Sequence, residues 1–340
     1  MAEVAPGQGN TYVPTFSEAT GLVQVEYSRN PASFALNSYS KLIPVAQDTG
    51  YYLTIDEEES ARVVSQSDWV WQDGNDAPEG IQQDHEFTQF RTIRHSPTFI
   101  IGQKAAQNAD FEVVAAHARM AASKCMRIRA HRAATVLTTS GNWPTGTTDT
   151  ATNVGGGKWS AATDSNNYIQ KSFNGTVEAI LANTNEAVTA KDMVCIMSDV
   201  TAHVITESSE YRTYFQGSPF AANFVRGAGE FDEFLLLSTF FGVGGIVVDP
   251  TSRVTNRKGG TKARSRIYDD DVVFVTRPGA QLGTEGVPDF STLSIFAYED
   301  MTVETEDDTW NRRVRGRVVD DCSINLTAPL SGYLLTDVWD

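Results

Sequence analysis

Little in this chain resembles the usual equipment of an enzyme. Three cysteines among 340 residues, Cys125, Cys195 and Cys322, are odd in number and far apart, so neither a disulfide framework nor a paired-cysteine metal knuckle is indicated. A reducing compartment fits that usage best. Five histidines, His85, His95, His117, His131 and His203, fall into no HExxH spacing and no tight His/carboxylate group. Scattered histidines are far more often core or surface residues than ligands, because catalysis and metal binding need a constellation. No serine sits in a GxSxG context, no GxxxxGK[ST] loop occurs, and Gly242-Val-Gly-Gly245 precedes a strand-like run instead of following one. Positive charge is also scarce: 27 Lys+Arg against 43 Asp+Glu give a formal charge of −16. Such a balance argues against a main role in gripping nucleic acid or an anionic membrane. Nowhere do about twenty apolar residues run together, and Met1 to Asn10 carries neither the basic nor the apolar region of a secretory signal. The expectation is a chain that is neither exported by a signal peptide nor membrane-spanning, and not an enzyme; no cofactor or metal is implied.

What is present is an ordinary globular composition, 41% hydrophobic and 21% charged, enough for one or two cores. Residues 1 to about 45 carry Pro6, Pro14, Pro31 and Pro44 among Gly, Asn and Ser and read as an extended arm that has no core of its own. From Gly50 to Ser96 two strand-like limbs flank a turn-rich middle, which reads as one long hairpin. Neither alternating set of the second limb (His85, Phe87, Gln89, Arg91 or Glu86, Thr88, Phe90, Thr92) is apolar enough for a core face. A limb of roughly fourteen residues would extend about 45 Å at 3.3 Å per residue, further than such a domain can cover with its own surface. Such a hairpin wants a neighbour.

A long helix is expected over 109–138, capped by Asn108 or Asp110, with Phe111, Val114, Ala115, Ala118, Ala122, Cys125, Ile128 and Val136 as its apolar stripe and Arg119, Lys124, Arg127, Arg129 and Arg132 outside. Mixed helices and strands follow: helices near 169–184, 198–214 and 230–240, and strands at Asp192 to Met197 and Asp271 to Thr276. The fold class is therefore α+β. Near the end lies a second hairpin, expected to turn at Glu306-Asp-Asp308. The acidic runs Asp56-Glu-Glu-Glu59, Asp269-Asp-Asp271 and Glu306-Asp-Asp308 lack calcium-loop spacing and read as solvated turns. Two basic clusters stand out: Arg253, Arg257, Lys258, Lys262, Arg264 and Arg266 in a loop, and Arg312, Arg313, Arg315 and Arg317 on a strand. Arg313, Arg315 and Arg317 share one face, with Glu304 and Glu306 placed for cross-strand pairing, so pairing or subunit contact is favoured over DNA binding.

The order of these pieces resembles the major capsid proteins of tailed bacteriophages, the Hong Kong 97-type shell fold shared with encapsulins. The similarity runs over nearly the whole chain. It rests on the arm, the long hairpin, the exit of the long helix Arg127-Ile-Arg-Ala-His-Arg-Ala-Ala-Thr-Val-Leu-Thr-Thr-Ser-Gly-Asn-Trp143, the step Val194-Cys-Ile-Met-Ser-Asp-Val-Thr-Ala-His203, the run Phe234 to Val248 with Asn256-Arg-Lys-Gly-Gly260 and Ile267 to Phe274, and the terminus Ala328-Pro-Leu-Ser-Gly-Tyr-Leu-Leu335. The resemblance implies an N-terminal arm (1–45), an E-loop hairpin (46–100), a peripheral domain with a spine helix (101–164 and 291–322) and an axial domain (165–290 and 323–340). It implies self-assembly through hexamers and pentamers into an icosahedral head shell, with virion location after assembly in the bacterial cytoplasm. Scaffold and portal proteins are the implied partners, decoration proteins find room beside them, and packaged double-stranded DNA is touched only loosely. No long charged leader precedes the arm, which implies a separate scaffold or none. Candidate contacts between subunits are Trp69, Trp71, Glu304, Glu306, Arg312, Arg313, Arg315 and Arg317. The alternatives are an encapsulin-type compartment and, further off, a hydrolase with an unrecognised site.

Overall fold

The computed structural model describes residues 29–55, 85–108, 113–215, 242–254, 256, 261, 263–278 and 291–340. Its strands are, in chain order, β1 (Lys41–Pro44), β2 (Thr49–Ile55), β3 (His85–Arg91), β4 (Ile93–His95), β5 (Thr98–Gly102), β6 (Thr148–Thr150) and β7 (Met193–Ser198). They continue with β8 (Gly245–Asp249), β9 (Ser252–Val254), β10 (Arg264–Arg266), β11 (Val272–Thr276), β12 (Leu293–Asp308), β13 (Arg313–Leu326) and β14 (Tyr333–Thr336). Two larger sheets organise them. One runs β6-β14-β11-β7-β8; the other runs β1-β12-β13-β4, with β5 also pairing to β13.

Strands β7 and β11 are continuous apolar runs because their sheet is covered on both faces. Met193, Cys195 and Met197 point into one core with Phe173, Ile180, Ile205 and Trp159. Val194 and Ile196 point the other way, against Met126, Ala130, Leu137, Leu293 and Ile324. Alternation along a strand thus delivers neighbouring residues to two cores, and every residue of β7 and β11 is buried. The first core is closed by the helices Tyr168–Asn183 and Asp199–Glu207. Ser198 caps the second of these by accepting from Thr201 N at 3.1 Å, and Glu210 reaches across to cap the first at Ile169 N and Gln170 N.

The long helix spans Val113–Thr138, preceded by a short one at Gln103–Asn108. Asp110 and Phe111 lie outside the described residues. Its C-terminal carbonyls are answered locally, Asn142 Nδ2 donating to Val136 O and Trp143 Nε1 to Leu137 O. The buried face differs from the one the periodicity suggests. Ala116, Ala121, Cys125, Met126, Arg129, Ala130, Ala133, Ala134 and Leu137 are inside, whereas Val114, Ala115, Ala118, Ala122, Ile128 and Val136 are half-buried. Small alanines let the helix lie close on the sheets, so the bulky residues fall on its flanks. Arg129, expected on the outer side, is inside.

The arm enters the description at Arg29. Phe34, Leu36 and Tyr39 are buried against the second core, and the Tyr39 hydroxyl meets that of Tyr268 at 2.7 Å. Strand β1 then pairs in parallel with β12. The basic loop around 253–266 proves to hold a two-stranded ribbon, with Arg264 opposite Val254 and Arg266 opposite Ser252; Arg257, Lys258 and Lys262 lie outside the described residues. The helix expected near 230–240 also falls outside them.

Candidate functional site

Strands β12 and β13 form a long antiparallel ribbon whose near half is core and whose far half is exposed. Its turn lies beyond the expected one: Glu306, Asp307 and Asp308 are still in β12, and the chain reverses between Asp308 and Arg313. Arg312, at φ 49°, takes the left-handed conformation that the reversal needs. The register sets Glu304 opposite Arg317, Glu306 opposite Arg315 and Asp308 opposite Arg313. Arg317 Nε meets Glu304 Oε2 at 2.5 Å, as the sequence suggests. Arg315 does not take Glu306; it reaches Asp308 Oδ2 at 2.8 Å, where Arg313 Nε also lies at 2.8 Å. Asp308 also accepts from Asn311 N and Nδ2, so bonds from Asn311 and Arg313 hold its carboxyl down to about 2. This residue, read from sequence as part of a solvated turn, is the anchor of the ribbon tip. The signal was an Asp followed three residues on by Asn, the pattern of a side chain closing its own turn. Arg312 has no side-chain partner among the described residues, and Trp310 beside it is 94% exposed.

Beneath the ribbon sits a buried ionic cluster that sequence reasoning missed. Arg129 from the long helix pairs with Asp320 of β13 and, at 2.7 Å, with Asp300 of β12. Burial opposes its charge, and the bonds with Asp320 and Asp300 outweigh that, so its pKa is raised. Asp300 stands at the irregular stretch of β12 where the register shifts between Ala297 and Glu299 and again between Glu299 and Thr302. Arg132 donates to Cys322 O at 2.9 Å. Both Cys125 and Cys322 are buried, with thiols pushed up to about 12 and about 11 chiefly by burial, so they are poor nucleophiles.

The hairpin's root is packed against the same sheet. Strands β2 and β3 pair from Thr49 opposite Arg91 to Ile55 opposite His85. Tyr52 and Phe90 both stack on Phe296, with centroids 5.7 and 4.4 Å away. Tyr51 and Phe87 are two-thirds exposed, an apolar pair that no described residue covers. Trp69 and Trp71, on the intervening stretch, lie outside the described residues. Next to the root, a polar cavity of about 590 Å³ is lined by Asp48, Arg91, Thr92, Arg94, Tyr298 and Asp321. Among the described residues no group of three or more His, Cys, Asp or Glu could hold a metal ion, and no helix is long and apolar enough to cross a membrane.

No family model matches the sequence, and no curated protein does. Solved structures do. A phage-related protein from Bordetella bronchiseptica aligns over 94% of this chain and 95% of its own with a TM-score of 0.61 at 16% identity. A chain of the mature capsid of bacteriophage PhiM1 aligns over 93% and 90% with a TM-score of 0.56 at 9% identity. The capsid chain of cyanophage P-SCSP1u aligns over 98% and 99% with a TM-score of 0.54 at 11% identity. The α+β fold of this chain is therefore that of phage capsid chains.

Proposed function

We propose that the chain is the major capsid protein of a tailed bacteriophage, assembling through hexamers and pentamers into an icosahedral shell around double-stranded DNA. The observation that carries this reading is the fold, shared over more than nine-tenths of the chain with chains of two phage capsids. A second observation agrees with it: the exposed pair Tyr51 and Phe87 and the exposed ribbon tip are surfaces that copies of the chain can cover for one another. The role is structural and not catalytic. In this reading 1–45 is the arm, 46–100 the E-loop, 101–164 and 291–322, with the long helix and most of the β12–β13 ribbon, the peripheral domain, and 165–290 and 323–340, with β7 and β11, the axial domain. Scaffold and portal proteins are its partners, and the −16 charge keeps DNA contacts loose.

The test is electron microscopy and light scattering of the purified protein, alone and with its scaffold. Closed particles or capsomers are expected, burying several thousand Å² per subunit as obligate interfaces do. A strictly monomeric species at high concentration under both conditions would sink the reading. Particles filled with a protein cargo and lacking DNA in infected cells would replace the phage head with an encapsulin-type compartment.

A further inference from the structure

The hairpin root holds polar groups that the subunit leaves unanswered. Thr92 and Asp321 are each at least nine-tenths buried, yet among the described residues Thr92 Oγ1 and Asp321 Oδ1 have no hydrogen-bond partner. Both residues line the 590 Å³ cavity. Arg94 answers only the other carboxylate oxygen: its Nε is bonded to Asp321 Oδ2 at 3.0 Å, and its Nη2 lies 3.8 Å from Glu299 Oε2. A carboxylate oxygen buried without a donor carries an uncompensated desolvation cost, and the group best suited to relieve it is a cation with several N–H donors.

The ribbon tip offers such a group. Arg313, Arg315 and Arg317 are already committed to Asp308 and Glu304, whereas Arg312 is exposed and without a carboxylate among the described residues. Trp310 stands beside it with its ring in solvent. The tip cannot reach the cleft of its own subunit. Arg312 and Asp321 are separated by nine residues of an extended strand, about 30 Å at 3.3 Å per residue.

We propose that the tip of one copy's β12–β13 ribbon seats in the hairpin-root cleft of a second copy. On seating, Thr92 and Asp321 turn their unanswered oxygens into the cleft and Arg312 donates to both, while the Trp310 ring covers Tyr298 and the guanidinium planes of Arg91 and Arg94. A tip-to-root contact uses two different patches, so it propagates from copy to copy instead of closing on a pair. The inference rests on the shell reading and names one of its contacts.

Two preparations test it, one carrying Thr309→Cys and the other Gln47→Cys, both at exposed positions; the native Cys125, Cys195 and Cys322 are buried. After mixing, assembly and mild oxidation, a mixed disulfide dimer joining positions 309 and 47 is expected in particles and not in unassembled subunits. In parallel, Arg312→Glu should lower particle yield at least tenfold with an unchanged circular dichroism spectrum, and Arg312→Lys should recover most of it. Particles that form without the mixed dimer, and whose yield ignores Arg312→Glu, overturn the proposed contact and leave the shell reading standing. A wild-type chain that makes no particles under any condition overturns both.

Discussion

At the scale of single residues, charge placement decides most. Arg129 is 4% exposed and faces Asp320, which is equally dry, so removing either partner leaves a buried charge unanswered. Arg129→Ala should cost about 3–5 kcal/mol in denaturant unfolding, whereas Arg129→Met combined with Asp320→Leu should be near neutral. If the single and double variants unfold alike, the cluster is not the coupled pair described. Asp271 behaves in the opposite sense. Burial, then the charges of Asp270, Asp269 and Asp337, push its carboxyl up to about 7. Its folded value lies above the unfolded one, so stability is fully present below about pH 4 and declines as pH rises through 7. Asp271→Asn should therefore raise stability at pH 8 by about 2 kcal/mol, allowing for a partly wet setting, and change little at pH 4. Asp308 has the depressed pattern: its contribution is present above about pH 4 and lost as pH falls toward 2. A carboxyl titration by NMR with a midpoint near the ordinary aspartate value would contradict that. The roles of Arg129 and Asp271 are not visible in sequence, since each depends on which charges the fold brings together; that of Asp308 was signalled by Asn311 three residues on. The cross-strand pair of Glu304 with Arg317 was legible because a ribbon's register follows from counting.

Among the elements, those with strong local signals match their sequence expectations closely: the helix Tyr168–Asn183, the strand Met193–Ser198 and the strand Val272–Thr276. The long helix shows what periodicity misses. Five alanines, Ser123 and Arg129 share its buried face with Val113, Cys125, Met126 and Leu137, and because hydropathy scores those seven as weakly apolar or polar, the apparent stripe is rotated toward its flanks. Ala130→Asp, at a fully buried position on that face, should prevent folding, since an unpaired charge there costs several kcal/mol. The hairpin behaves otherwise. Replacing residues 54–86 with a two-residue Asn-Gly turn keeps Tyr52, Phe90 and their stacking on Phe296, and should leave a folded subunit with an unaltered thermal midpoint that no longer assembles. Loss of cooperative unfolding in that variant would mean that the hairpin supports its own subunit after all.

For the molecule as a whole, two sheets share one long helix, and the ribbon of β12 and β13 begins in the core between them and ends in solvent. The α+β class was legible because its helices and strands each carry their own pattern. The ionic cluster and the root cleft were not, because they arise where distant segments meet. Arg312 is exposed before docking, so salt screens its approach to the cleft, and particle formation should fall between about 0.1 and 1 M ionic strength if tip and root bind through it. A yield that rises monotonically with salt would point to apolar contacts alone. The shifted register around Glu299 has a mechanical meaning as well. From that joint to the ribbon's end is about 30 Å, so a swing of about 10° there carries the end through about 5 Å, the width of a side chain. Arg129 grips Asp300 at the joint itself, which makes the buried arginine the fulcrum of a lever: what it fixes to a few degrees, the far end inherits as position.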